Sequence, residues 1–519
     1  MRPPRGLAAV LALALVARVA AVAANGTARR LVVTFPRGDS RLASEACASL
    51  NRAPHLVSPA GETTKAAACL HSARGACLRA FAAKGGLVDG FAGTLDREAL
   101  ACLDADAVFA EEDAEVKVPE RFSPSPRVAG EGRVSRPRHL ERRGLLERDA
   151  RSTAPRADLN RAATNAWLSG DDDDAPGAKT GDRVSSKKKS AGAAGGFSSA
   201  ATTLFSWPLD RLDQVSLPLD GARVRPGGGG VRVFVLDTGI RASHVEFARP
   251  GSRGGSNLGA GVDVLAENET NEDATEGDRD GHGTHVAALV AGATTGAAPL
   301  ATLHSVRVLG RDGGGRVSDV LAGLEWTRAF LETKGSPQTR APSVLVLALG
   351  TKPGVASETL ERAVERLVET HGVFVVAAGG NDPSRSSCAT SPARSRRVFA
   401  VGASDEADAA YAHRSGGACL DAFAPGVRAR SAFVGSGDDG DDDVTYAVLS
   451  GSSMAAGVAA GVAAHFLGRH PDASPEETRA ALAKAASAGK VRTFPRGGTR
   501  GTPEDASLLR IPPVWARVS

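Results

Sequence analysis

An excess of charge of either sign is nearly missing from this chain. Against 59 Asp and Glu stand 63 Lys and Arg, a formal net charge of +4 over 519 residues. So small an excess, partly gathered in one linker-like stretch, makes no surface for nucleic acid. Long apolar runs are scarce too. Gly6–Ala17 falls short of the roughly 20 residues a membrane-spanning helix needs, and Arg18 ends it. The Ala- and Gly-rich stretch from Met454 to Leu467 stops at Arg469. No membrane span is expected. Cysteine is also rare. Cys47, Cys69, Cys77 and Cys102 lie in the first part of the chain and Cys388 and Cys419 in the last third, none placed as a catalytic thiol. In an oxidising compartment this split predicts pairing within each region, with three connectivities open to the first four.

What is present is ordinary for a globular protein, 42% hydrophobic and 24% charged, long enough for two to four units. Arg2 and Arg5, the apolar run and the small residues Ala21 to Ala24 read as a secretory signal peptide over 1–24, so the mature protein is expected in the secretory lumen or outside the cell. Residues 30–117 form a first compact unit, opening on the strand Leu31 to Phe35. Over 118–200 apolar periodicity gives way to Arg, Pro, Ser and Gly with the runs Asp171–Asp174 and Lys187–Lys189, the composition of a disordered linker.

From about 201 to 519 strand and helix patterns alternate. Strands are expected at 231–237, 305–309, 344–350 and 373–379, and helices from near His282, over 317–333 and over 357–371. Apolar strands separated by amphipathic helices predict an α/β fold, a parallel sheet flanked by helices, with ligands at the carboxyl ends of its strands. A last helix starts at the capping box opened by Ser474.

Three segments carry chemistry: VLDTGI around Asp237, DGHGTHVAALVAG around His282 and SGSSMAAGVAAG around Ser453. Singly, each is an ordinary strand end, helix cap or helix start. Together they follow one of the known chain orders of an Asp, His and Ser triad, in which serine is the nucleophile, histidine its base and aspartate the group that orients the imidazole. Ser452 is a rival nucleophile. His285 lies one turn beyond His282 with no HExxH pattern or third ligand, so it reads as packing rather than zinc binding. Asp273–Asp280 and Asp438–Asp443 read as solvated inserted loops with some scope for calcium. Asn268-Glu269-Thr270 is a glycosylation sequon.

With VLGRDGGGRVSDVLAGLEW at 308–326, LALG at 347–350, VVAAGGN at 375–381, SPA at 391–393 and FAPG at 423–426, residues 201 to about 490 resemble the subtilisin family, nearest in pattern to its proteinase K and proprotein convertase branch. Residues 30–117 resemble the family's inhibitory propeptide, a small α+β domain. The resemblance implies a secreted, self-processing serine endopeptidase acting on proteins or peptides, inhibited by its own propeptide and needing no cofactor for its chemistry. It favours Ser453, directly before Met454, as nucleophile. It places substrate-binding edges at Gly313, Gly314, Gly315, Leu349 and Gly350, a disulfide between Cys388 and Cys419, and a structural calcium ligand at Asp421. It implies a first cut near Val118 to Arg121, and the basic sites Arg142-Arg143 and Lys187–Lys189, in what reads as flexible chain, are expected trimming points.

The family's oxyanion asparagine follows an Ala-Ala-Gly strand end, which points to Asn381, but an extra Gly380 leaves either residue in that position. Ser452 replaces the usual threonine and Gly457 the usual proline, changes with scope to loosen the start of the serine's helix. A rival function is a homologue that cleaves itself, keeps its propeptide and acts as a binding protein.

Overall fold

The computed structural model describes residues 29–35, 46, 47, 50, 75–81, 86–95, 109–118, 206–222, 225–248, 255–265, 277–333, 341–435, 442–492 and 507–512. The expected signal peptide, the linker beyond Val118, the sequon at Asn268, the basic trimming sites, and Cys69 and Cys102 lie outside them.

Strands β1 (Arg29–Thr34), β2 (Gly75–Phe81), β3 (Gly90–Leu95) and β4 (Phe109–Glu112) form an antiparallel sheet in the order β2-β3-β1-β4, followed by a short β5 (Glu115–Lys117). Cys47 is bonded to Cys77 of β2. Helix α1 (Trp207–Leu212) then leads into a second, larger sheet. Its strands are β6 (Arg232–Asp237), β7 (Val262–Asp263), β8 (Thr302–Arg307), β10 (Ser343–Leu347), β12 (Phe374–Ala378), β13 (Val398–Ser404) and β14 (Ala422–Pro425). They run parallel in the order β14-β13-β12-β10-β6-β8-β7. Outside this sheet lie β9 (Gly314–Arg316) and β11 (Gly350–Thr351).

Both faces of the large sheet are dry, which is why its strands read as continuous apolar runs. Val233, Val235, Val344, Val346 and Val376 face one core, shared with α2 (His282–Ala291) and α5 (Ser452–Leu467). The alternate residues Phe234, Leu236, Leu345, Leu347 and Val375 face the other, shared with α3 (Val317–Thr333) and α4 (Glu358–His371). Helix α4 follows the expected stripe: Leu360, Ala363, Val364 and Leu367 are buried, Ser357 Oγ caps it by accepting the Leu360 N–H at 3.2 Å, and Gly372, with φ 65°, ends it. The capping box at Ser474 and Glu477 opens α6 (Pro475–Ala485) as read from sequence. The expected strand at 305–309 starts earlier, at Thr302, and 344–350 divides into β10 and β11.

Helix α5 is buried along its whole length and regular from Ser452. A Cβ added at Gly457 would lie 2.9 Å from Val286 O, and one at Gly461 2.9 Å from Val290 O. Gly457 therefore serves the close approach of α5 to α2; it does not loosen the helix start.

The N-terminal sheet docks on the outer face of α3 and α4. Val32, Ala92, Ala114 and Val116 join the same apolar cluster as Leu321, Leu324 and Leu360. Two of its carboxylates meet the N-termini of those helices. Asp113 accepts Ser318 N–H and Oγ–H, each at 2.9 Å, and is paired with Arg30 Nε at 2.7 Å. Glu111 accepts Ser357 Oγ at 2.6 Å and the N–H groups of Glu358 and Thr359 at 3.1 and 3.3 Å. Acceptors there satisfy donors the helix leaves open and sit at the positive end of its dipole.

Candidate active site

Asp237 ends β6 at its carboxyl edge and is fully buried. Its Oδ1 and Oδ2 lie 2.8 and 2.9 Å from His282 Nδ1, and Oδ1 also accepts the Thr238 N–H at 2.7 Å. The carboxylate therefore fixes the imidazole with Nδ1 as the donor, leaving Nε2 as the ring's acceptor. His282 Nε2 is buried and has no hydrogen-bond partner among the described residues.

The turn before His282 is held by a residue read from sequence as part of a solvated loop. Asp278 is buried, and it accepts hydrogen bonds from Thr238 Oγ (2.8 Å), Asp280 N (3.0 Å), Gly281 N (2.8 Å), Thr284 N (2.8 Å) and Thr284 Oγ (2.7 Å). That reading is corrected for Asp278. Burial pushes its carboxyl above the usual range, while these donors pull it back. The available signal was its position four residues before the histidine, where a helix start needs an acceptor. His285 is buried, with Nε2 3.2 Å from the carbonyl oxygens of Ala429 and Ala447, which fits a packing residue.

Ser453 sits in the first turn of α5, its Oγ donating to Ala348 O at 3.1 Å. The neighbouring Ser452 Oγ is occupied as acceptor for the Gly380 N–H at 3.1 Å, and Ser452 N–H donates to Asn381 Oδ1 at 2.9 Å. Of the two residues left open by the extra glycine, Asn381 is the one whose side chain reaches the serine's helix. With Oδ1 taken, its Nδ2 lies beside Gly451, 2.7 Å from where a Cβ would stand. That close approach, and a φ of 153°, admit only glycine at 451.

Beside Asn381 opens a cavity of about 510 Å³ lined by Leu349, Gly350, Ala378, Gly380, Thr390 and Ser415, among others. Strand β5 runs along its approach as the middle strand between β9 and β11. Val116 pairs with Gly315 and Thr351, Lys117 with Gly314 and Gly350, and Val118 N–H donates to Gly313 O at 3.0 Å. Gly313, Gly314, Gly315 and Gly350 thus all contact an extended segment, while Leu349 lines the cavity. Glu115 bridges Lys117 and Lys352 at 2.7 and 2.5 Å, which holds its carboxyl down at about 2.

Cys388 and Cys419 form a disulfide joining two loops near this cavity. At Asp421, Oδ2 accepts the Ala400 N–H at 2.8 Å and Oδ1 is paired with Arg479. A different group fits a metal ion. Asp210, Asp213 and Asp220 each bring a carboxylate oxygen within 4.8 Å of the others. Beside them Gln214, whose Nε2 donates to Asp210 Oδ1 at 2.8 Å, has its buried Oε1 without a hydrogen-bond partner among the described residues, and so has Asp213 its Oδ1. Burial and the negative charges of Asp220 and Asp210 push the Asp213 carboxyl up to about 6. Carboxylate and amide oxygens in this number suit a hard divalent cation such as calcium.

A parallel α/β sheet with a buried Asp and His pair at its carboxyl edge and a serine at a nearby helix start has the layout nucleophilic hydrolases use. The Subtilase family model matches residues 228–504, and the chain belongs to that family. It is 37% identical over 292 residues to the Extracellular serine proteinase of Thermus sp. (strain Rt41A), covering 56% of this chain and 64% of that one. It is 37% identical over 286 residues to Alkaline serine exoprotease A of Vibrio alginolyticus, covering 55% of this chain and 47% of the relative. The match thus spans about half to just under two thirds of these relatives' lengths. A solved cold adapted subtilisin-like serine proteinase is 34% identical, with a TM-score of 0.49 over 59% of this chain and 98% of its own. Among the described residues no helix is long and apolar enough to cross a membrane.

Proposed function

We propose that the chain is a secreted serine endopeptidase, made as a zymogen whose residues 30–117 are an inhibitory propeptide, with Asp237, His282 and Ser453 as its triad. The observation that carries the reading is β5. A segment of the chain itself lies antiparallel between two edges, as an extended peptide is held by strand addition, and it leads into the cavity that Asn381 lines.

In the working enzyme Ser453 Oγ turns from Ala348 O to His282 Nε2, gives up its proton there and attacks the scissile carbonyl carbon. Asp237 stabilises the imidazolium through Nδ1. The tetrahedral oxyanion accepts from Asn381 Nδ2 and from the Ser453 N–H, one of the donors a helix start leaves open. His282 then protonates the leaving amine, and water, activated by the same histidine, releases the acyl group.

Calcium held by Asp210, Asp213, Asp220 and Gln214 supports the fold without entering this chemistry. Turnover of a peptide library by purified, processed protein tests the proposal. Hydrolysis that disappears, together with self-processing, in Ser453→Ala supports it. Single self-cleavage with no turnover supports the binding-protein alternative instead.

A further inference from the structure

We propose that Ser415 is a positioning residue for the Asn381 side chain, acting through the turn Gly380–Asp382; this rests on the reading of Asn381 as an oxyanion donor. The turn leaves β12 with one residue more than the family pattern and needs closing at its wide point. Ser415, only 3% exposed, closes it with both its backbone and its hydroxyl. Its N–H donates to Gly380 O at 3.0 Å, its Oγ accepts the Asp382 N–H at 3.1 Å, and the same hydroxyl donates to Asp382 O at 3.0 Å. The hydroxyl's single proton and a lone pair are thereby both spent on the residue after Asn381.

Ser415 is itself fixed in place. Ser387 N–H donates to Gly416 O at 2.6 Å, Gly416 N–H donates to Arg385 O at 3.3 Å, and Cys388–Cys419 joins the same two loops. On the opposite side Ser452 holds the Gly380 N–H and Asn381 Oδ1. The Asn381 amide is thus set between the serine's helix and the Ser415 loop, and its Nδ2 direction depends on both. The fit is close: with φ at 102°, Gly380 has a Cβ position only 2.6 Å from Ser415 Oγ.

A donor aimed at the developing oxyanion contributes in the transition state and little in substrate binding. In the processed enzyme, made from the full chain, Ser415→Ala should lower kcat about ten- to a hundredfold with KM nearly unchanged, the scale expected for misplacing a catalytic group by about 1 Å. Affinity for a peptide boronate, which forms a tetrahedral adduct, should fall in step. On an Asn381→Ala background, Ser415→Ala should cost no further kcat. If Ser415→Ala is not recovered folded, Gly380→Ala tests the same clamp from its other side, with the same expected pattern. Unchanged kcat with altered KM or side-chain preference would make Ser415 a wall of the cavity and overturn the proposal, as would an undiminished loss on the Asn381→Ala background. Asn381→Ala with normal kcat would instead sink the oxyanion reading itself.

Discussion

Ser452 and Asn381 are joined by a hydrogen bond of 2.9 Å from the serine's backbone N–H to the amide oxygen, while the Ser452 hydroxyl accepts from Gly380 at 3.1 Å. The rival nucleophile is thus committed to holding the asparagine's turn. Ser452→Ala keeps its backbone bond and loses only one neutral hydrogen bond, worth about 0.5–1.5 kcal/mol, so kcat should fall no more than about tenfold. Ser453→Ala should remove hydrolysis. Steady-state kinetics of the two variants decide it: loss of all activity in Ser452→Ala reverses the assignment.

Asp278 offers a second test, remote from substrate. Replacing it with Ala leaves Thr238, Gly281 and Thr284 donors buried without an acceptor. The cost should be about 1–3 kcal/mol for each donor left unsatisfied, less whatever water recovers. Thermal melts should show the loss, and kcat should fall with it because the Gly281–Thr284 turn carries His282. A variant as stable and active as the parent would show that the turn stands without Asp278.

The sheet and most helices were legible because their signals are local and repeated: α3 begins and ends where its apolar period does, and α4 carries its own cap. The residues proposed as a triad stood out as three separated segments in one order. What the sequence hid depends on partners far along the chain. The pairing of Asp421 with Arg479, 58 residues later, leaves no local signal. Asp278 looked solvated inside an acidic run, and Ser415 carries no motif at all. The Asp210, Asp213 and Asp220 group was missed because acidic residues on a short helix and its following loop have no periodicity to mark them.

Two carboxylates of the N-terminal unit, Asp113 and Glu111, cap the helices it docks on. Asp113→Ala removes the acceptor for Ser318, bonds of a charged group worth about 1.5–3 kcal/mol, from an interface that also holds the Glu111 bonds to the start of α4 and the Glu115–Lys352 pair. On the proposed zymogen reading, inhibition by residues 30–117 should weaken about ten- to a hundredfold in this variant. Titrating residual activity against enzyme dilution measures this, and an unchanged dissociation constant would leave the inhibition to β5 alone.

Calcium should stabilise the processed protein through the Asp210, Asp213 and Asp220 group, and the pH dependence gives the sign. In the folded protein without the ion, the Asp213 carboxyl is raised from 3.8 to about 6, so the fold binds its proton more tightly than the unfolded chain does. Stability from this group is therefore present at low pH and is lost as pH rises through about 4 to 6. A cation favours the ionised carboxylate and cancels that loss. The gain in Tm on adding calcium to chelator-treated protein should accordingly grow between pH 4 and 6 and level off above it. Asp213→Asn, which removes both the charge and the titration, should abolish the pH-dependent part of the gain while leaving Ser453 chemistry intact. Scanning calorimetry at several pH values, with and without calcium, makes the comparison; a calcium response in Asp213→Asn equal to the parent's would locate the ion elsewhere.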